Sequence, residues 1–207
     1  MPVNLAEMLD PAHSAVVTME LQNGVIGDES PMRELADAAA AANLVANAAK
    51  VVRAARTAGA RVVHCTFAGR PDRAGSADNS PLQRALARSD PHLLIGSRAA
   101  AVVDELGPEP TDIVCSRLHG LTPFPGTDLD ATLRNLGVQT VVAAGVSVNI
   151  GVLGLVMGAV DLGYQVALVT DAVAGIPDDY ARAVLDNTLG LLANRVTSDE
   201  IVAVWAP

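Results

Sequence analysis

Apolar positions along the chain alternate between two kinds of segment. Ser14 to Glu20 (SAVVTME) and Arg61 to Thr66 (RVVHCT) are short and rich in β-branched residues, the composition of strands. Between them Glu34 to Ala58 is Ala-rich and predicts a helix, which Gly59 can end in a left-handed cap. The pattern repeats. Asp112 to Arg117 (DIVCSR), Thr140 to Ala144, Gln165 to Thr170 and Val196 to Trp205 read as four further strands. A helix from Thr127 or Asp128 to Gly137, another over Ile150 to Leu162, and a third over Asp178 to Ala193 with a Pro-Asp-Asp start fill the gaps. The alternation predicts an α/β protein built on a doubly wound, mainly parallel six-stranded sheet with helices on both faces. No repeat or linker interrupts it, so residues 1–207 read as one domain. The one long irregular stretch, Ala68 to Asp90, is rich in Gly, Pro, Asp, Ser and Arg and is a candidate lid or substrate loop.

Composition narrows the function classes. Half of the residues are hydrophobic and 18% are charged, which excludes a disordered chain. Aromatic residues make up 2%, so the core must be built from Ala, Val and Leu, and stacking platforms for single-stranded nucleic acid are nearly absent. A net charge of −9 argues further against a nucleic-acid partner. Of the 14 basic residues only Lys50 is a lysine, so chemistry that needs a lysine has one candidate. Cys65 and Cys115 are too few for a disulfide framework, and the N-terminus MPVNLAEMLD has no basic start followed by an apolar run, which together predict a cytoplasmic, reduced protein. Val141 to Val160 is uncharged and as long as a membrane span, but its four glycines, Ser147 and Asn149 suit a buried strand, a tight turn and a helix start, so no membrane partner is expected.

Doubly wound sheets bind ligands beyond the carboxyl ends of their strands. Those ends carry Glu20-Leu21-Gln22-Asn23, then Arg117 with His119, then Gly145 to Gly151 (GVSVNIG). Here the chain resembles the isochorismatase-like superfamily of cysteine hydrolases, which includes nicotinamidases, carbamoylsarcosine amidases and isochorismatases. The resemblance runs from about Ser14 to Val204. It is carried by TMELQN, by PFPGTDLDATLRNLGVQTVVAAGVSVNIG and by DLGYQVALVTDAVAG. It implies a Rossmann-like three-layer fold, a small-molecule substrate and a homo-oligomer, dimer or tetramer, with the Gly-rich helix after Gly151 available for a subunit interface. It also implies a catalytic set of Asp, Lys and nucleophilic Cys, which fall here on Glu20, Arg117 and Gly151. The chain is thus similar to a member without the nucleophile, and thiol catalysis at residue 151 is excluded. Isochorismatases also carry glycine there and use the strand-one carboxylic acid to protonate a vinyl ether, which needs no nucleophilic side chain. Those enzymes keep the lysine, whereas Lys50 lies in the first helix, and the glutamine they place after strand two is Ala68 here.

Two readings follow. The first is a hydrolase of a small organic acid, ether or amide that uses Glu20 as general acid or base, without a cysteine nucleophile. The second is a catalytically silent relative that binds a small molecule or serves as an interaction protein. Glu20 ends an apolar strand, as a site residue or as half of an ion pair with Arg117. Arg117 can orient a carboxylate or bind an anion but cannot exchange a proton as lysine can. Gln22, His119, Val146, Ser147, Asn149 and Ile150 are the candidate substrate-binding residues. The resemblance implies a cis Val146-Ser147 peptide and an anion-binding turn of backbone amides. Gly145 to Asn149 is a poor nucleophile elbow, since Asn149 replaces its last glycine and no histidine follows His119. Cys65 and Cys115 read as small core side chains, Cys65 with a modest reserve as a displaced nucleophile, and His64 reads as packed. No Asp-x-His motif follows strand two, so neither a metal nor a cofactor is implied. Arg70 and Arg73 stand in the irregular stretch, either solvated or closing over an anionic substrate.

Overall fold

The computed structural model describes residues 3–88 and 93–206. Strands β1 (Ser14–Met19), β2 (Arg61–Phe67), β3 (Ile113–Arg117), β4 (Thr140–Val146), β5 (Gln165–Ala174) and β6 (Asn194–Val196) form one sheet. All its pairings are parallel, in the order β3-β2-β1-β4-β5-β6. The order reverses between β1 and β4, so the crevice for a ligand is expected at their carboxyl ends. Every residue of β1 and β4 is buried, as strands covered on both faces must be.

Alternation divides the core in two. Val16, Val62, Val142 and Val169 point to one face and pack under the helices Arg33–Ala41, Leu44–Ala58 and Ser198–Trp205. Ala15, Val17, Val63 and Leu168 point to the other, under Leu129–Asn135, Leu153–Asp161 and Asp178–Val184. Short side chains, mostly Val, Ala and Leu, fill both layers, as the scarcity of aromatics requires.

Three expected elements differ. The chain over Val196 to Trp205 is not a strand: β6 stops at Val196 and Ser198–Trp205 is a helix. Thr197 and Glu200 form a capping box, with the Glu200 amide 3.2 Å from Thr197 Oγ1 and the Thr197 amide 2.7 Å from Glu200 Oε2. Ile201 and Trp205, four residues apart, then face the core together, and the Trp205 indole donates to the Leu9 carbonyl at 2.7 Å. The single helix expected over Glu34 to Ala58 is two, broken where Asn43 takes a φ of 50° and bent by 62°. The irregular stretch from Ala68 contains the helix Pro81–Arg88, while Ser89 and Asp90 lie outside the described residues. The uncharged run Val141 to Val160 divides into β4, a turn and the helix Leu153–Asp161. Among the described residues no single helix is long and apolar enough to cross a membrane, and the bent pair Arg33–Ala41 and Leu44–Ala58 passes only by length and composition.

A chain of polar contacts crosses the β3 side of the sheet. Asp112, just before β3, accepts from Arg56 at 2.5 and 3.2 Å and lies 3.4 Å from His64 Nε2. A carboxylate only accepts, so His64 carries its proton on Nε2, and Nδ1 accepts from the Thr18 hydroxyl at 2.8 Å. Thr18, His64 and Asp112 resemble a catalytic relay in sequence of contacts, but His64 is 0% exposed and the relay ends in the core. Burial pushes the His64 pKa down, with Asp112 opposing and Arg56 assisting. The unfolded chain therefore binds the extra proton, and this contribution to stability is complete above about pH 6.5 and lost as the pH falls below it toward the folded-state value. Denaturant midpoints are expected to decrease from pH 7.5 to pH 5.5, and to decrease less in His64→Gln, which keeps an amide for Thr18. Equal slopes in the two proteins would show that His64 does not carry the dependence.

Candidate functional site

A cavity of about 520 Å³ opens at the carboxyl ends of β1, β3 and β4. Glu20, Arg117, His119, Ser147, Asn149, Ile150 and Gly151 all line it. Glu20 leaves β1 with φ at 52°, while its amide still donates to the Cys65 carbonyl at 2.9 Å. This backbone turn sends the carboxylate out of the strand ladder toward the end of β3. Arg117 closes β3, is 5% exposed, and makes a short ion pair with Glu20 Oε1 through its terminal nitrogen. The guanidinium also lies over the Phe67 ring, 5.7 Å from its centroid. Arg117 Nε is buried without a hydrogen-bond partner, so one donor of the guanidinium is unspent.

The other wall is the turn after β4. Gly145 has a φ of 124°, and a Cβ there would stand 2.2 Å from the Met19 carbonyl oxygen, so only glycine allows β4 to lie this close to β1. The Val146-Ser147 peptide that follows is cis, as the resemblance implies. Ser147 accepts from the Ile150 and Val152 amides at 3.0 Å each, so the Ile150 amide is engaged within the turn. The Ser147 hydroxyl is hydrogen-bonded to Asn149 Oδ1, and Asn149 Nδ2 donates to the Ile176 carbonyl at 3.3 Å. With an asparagine as its partner, Ser147 lacks the base a nucleophile elbow requires.

Two expected contacts are not made. The Gln22 amide is 0% exposed and is spent on backbone: Nε2 donates to the Phe67 and Ala100 carbonyls at 2.8 Å each, and Oε1 accepts from the Phe67 amide at 2.9 Å. It clamps the end of β2 to the loop at Ala100 and does not line the cavity. Val146 is buried within β4 and does not line it either. His119 is exposed, its ring against Gly126, where a Cβ would come within 2.9 Å of Cε1.

The thiols lie elsewhere. Cys65 and Cys115 are register partners on β2 and β3, and neither borders the cavity. Cys65 is buried, and its hydrogen bond with Cys115 together with burial pushes its pKa well up, while the same hydrogen bond lowers Cys115 to about 6. Cys65 is therefore placed and protonated as a core side chain. Arg70 lines the cavity bound to Asp72 at 2.9 and 2.7 Å, and Arg73 donates to the Leu86 carbonyl at 3.4 Å. Among the described residues no three His, Cys, Asp or Glu side chains gather as a metal site requires. The apolar wall is the part the sequence reasoning missed. Leu82 and Leu86, four residues apart on the helix Pro81–Arg88, border the cavity at 39% and 43% exposure, and their i, i+4 spacing was the available signal.

Comparison with known proteins gives the family. The sequence profile of the isochorismatase domain matches residues 14–200. The chain belongs to the isochorismatase family. It is 31% identical to the ureidoacrylate amidohydrolase RutB of Methylobacterium radiotolerans, over 86% of this chain and 74% of that protein. It is 27% identical to the phenazine biosynthesis protein PhzD1 of Pseudomonas aeruginosa, over 98% of this chain and 91% of that one. Among solved structures, N-carbamoylsarcosine amidase from Thermoplasma acidophilum superposes with a TM-score of 0.72 at 28% identity, covering 90% of this chain and 97% of the other.

At the position to which the family resemblance assigns the nucleophile, this isochorismatase-family chain leaves little room for a side chain. A Cβ on Gly151 would lie 2.9 Å from the Val146 carbonyl oxygen and 3.0 Å from Met19 Cε. The methionine tip can yield; the backbone oxygen cannot without moving the turn. Gly151→Cys is therefore expected to lower stability by roughly 1–3 kcal/mol, read from chemical denaturation. An unchanged midpoint would mean that the turn accommodates the side chain freely.

Proposed function

We propose that this isochorismatase-family protein hydrolyses a small amide or ether with Glu20 as the proton-transferring group and no covalent thiol intermediate. The observation that carries the reading is the Glu20–Arg117 pair at the rim of an open cavity that Gly151 also lines, at the point where the strand order reverses. The ion pair with a permanently charged guanidinium suits Glu20 to the base role. On an amide Glu20 takes a proton from water as the water oxygen bonds to the substrate carbonyl carbon; the C–N bond then breaks, and the proton passes from Glu20 to the departing nitrogen. A vinyl ether instead needs the acid form of Glu20, which protonates the alkene carbon; water then adds to the oxocarbenium carbon, returning a proton to Glu20, and the hemiketal breaks its C–O bond to release an alcohol and a carbonyl compound. Arg117 positions the carboxylate and steadies its charge as the proton moves. The amidohydrolase and amidase names of two of the relatives support an amide as the bond cleaved.

The test is a panel of ureido compounds, simple amides and vinyl ethers. Turnover is expected, and Glu20→Gln is expected to lower kcat/KM by about 10²–10⁴-fold while the double variant Cys65→Ala, Cys115→Ala keeps it. Turnover indifferent to Glu20→Gln, or lost on thiol removal in a folded protein, refutes the mechanism. Ligand-induced stabilisation across the panel without turnover of any member favours the silent, small-molecule-binding relative instead.

A further inference from the structure

We propose that the cavity takes an uncharged, largely apolar substrate, a neutral amide or ether with an aliphatic or aryl group, in preference to a small organic anion. The proposal rests on the catalytic reading above for the bond that is cleaved, and on charge balance and wall chemistry for the rest of the molecule.

The charges come first. An arginine that recruits an anion needs charge to spare, yet the Arg117 side chain, 4% exposed, is matched by Glu20 at 21%. An incoming carboxylate would bring a second negative charge to a guanidinium that Glu20 already neutralises, leaving one carboxylate in a mostly buried site without a counter-charge. Arg70 is likewise held by both oxygens of Asp72. Counting Asp72 with its partner, Arg70, Arg73 and Arg117 face Glu20, Asp72 and Asp78, three against three, so the cavity has no cationic surplus to draw an anion in.

The walls come next. Val25, Met32, Leu35, Leu86, Leu93 and Ile176 close around the space above the ion pair. Leu82 and Leu86 are as exposed as they are because they border this cavity and pack into neither core layer. An exposed apolar pair on a helix, set opposite the core residues Val25 and Leu35, is what an apolar ligand would cover. A volume of about 520 Å³ holds a chain or ring well beyond the reacting group.

Displacement of the neutral fluorescent probe N-phenyl-1-naphthylamine by straight-chain amides from butanamide to octanamide, against carboxylates of equal length, tests this directly. Amide affinity is expected to rise about fourfold per added methylene, with each carboxylate at least about tenfold weaker, the equivalent of one 1.4 kcal/mol step. Leu86→Asp, at an exposed position the fold tolerates, is expected to flatten the chain-length slope, with circular dichroism checking that the chain remains folded. A flat slope in the native protein, carboxylates binding as tightly as amides, or no probe binding overturns the proposal. The readout is binding, so failures separate: a rising amide series without any turnover sinks the catalytic reading alone, and turnover confined to carboxylates sinks this one alone.

Discussion

The end of β1 is pinned from one side by β4. Met19 and Gly145 are register partners, and the Met19 carbonyl oxygen occupies the space a Cβ on Gly145 would need. The same residue is used again through its side chain, which takes up the space a Cβ on Gly151 would need. β4 shifts register against β5 between Ala143 and Gly145, then turns through the Val146-Ser147 peptide and enters the helix. Met19 therefore fixes the separation of the two walls of the crevice. Glu20 follows immediately, at a left-handed φ that takes its side chain out of the ladder. A β-branched or larger residue at 145 would push the strands apart and move the carboxylate, the turn and the cavity mouth together.

Two buried ionic clusters sit on the same half of the sheet, and their surroundings separate their roles. His64, Asp112 and Arg56 are satisfied on every side: by Thr18, by the Glu109 amide at 2.9 Å and by the Leu106 carbonyl at 3.4 Å. Neither His64 nor Asp112 is open to solvent and none of the three borders the cavity, so the cluster ties β1, β2 and the approach to β3 together. Glu20 and Arg117 are almost as buried, but they border a cavity and leave a guanidinium nitrogen unspent. The order Thr, His, Asp is thus a weaker sign of catalysis than a plain Glu–Arg pair with space in front of it.

The strand ends were legible because their chemistry is local: Glu20 and the turn to Gly151 follow the wholly buried strands β1 and β4, and Arg117 closes the half-exposed edge strand β3. The sheet itself was legible for the same reason. Val196 to Trp205 misled because Ile201, Val202 and Val204 have strand composition, while the deciding signal was the Thr197–Glu200 capping box, one residue pair among ten. Asn43 hid a helix break inside an Ala-rich run with no glycine or proline to mark it. Gln22 was placed correctly at the strand end but misassigned, because sequence says that an amide is near the crevice and not that three backbone groups from distant segments consume it. The apolar wall was masked for a compositional reason: the i, i+4 pair Leu82 and Leu86 lies in a stretch dominated by Gly, Ser, Asp and Arg.

The glycine at 151 is more than a missing thiol. Were it a simple deletion in an otherwise receptive site, a Cβ placed there would meet open space; it meets a carbonyl oxygen and the methyl of Met19 instead. The packing behind the position is closed even though Gly151 borders the cavity, and the family resemblance puts Glu20 and Arg117 at the two strand ends that complete the set. A glutamate reaches one methylene further than an aspartate, and an arginine presents a planar fork where a lysine presents a point charge. Together they let the β1 and β3 ends join in a direct ion pair. Such a pair narrows what the site can do: a guanidinium gives up no proton, and the Ser147 hydroxyl on the other wall is engaged with Asn149. In the proposed reaction the proton therefore passes through Glu20 and the nucleophile comes from solvent.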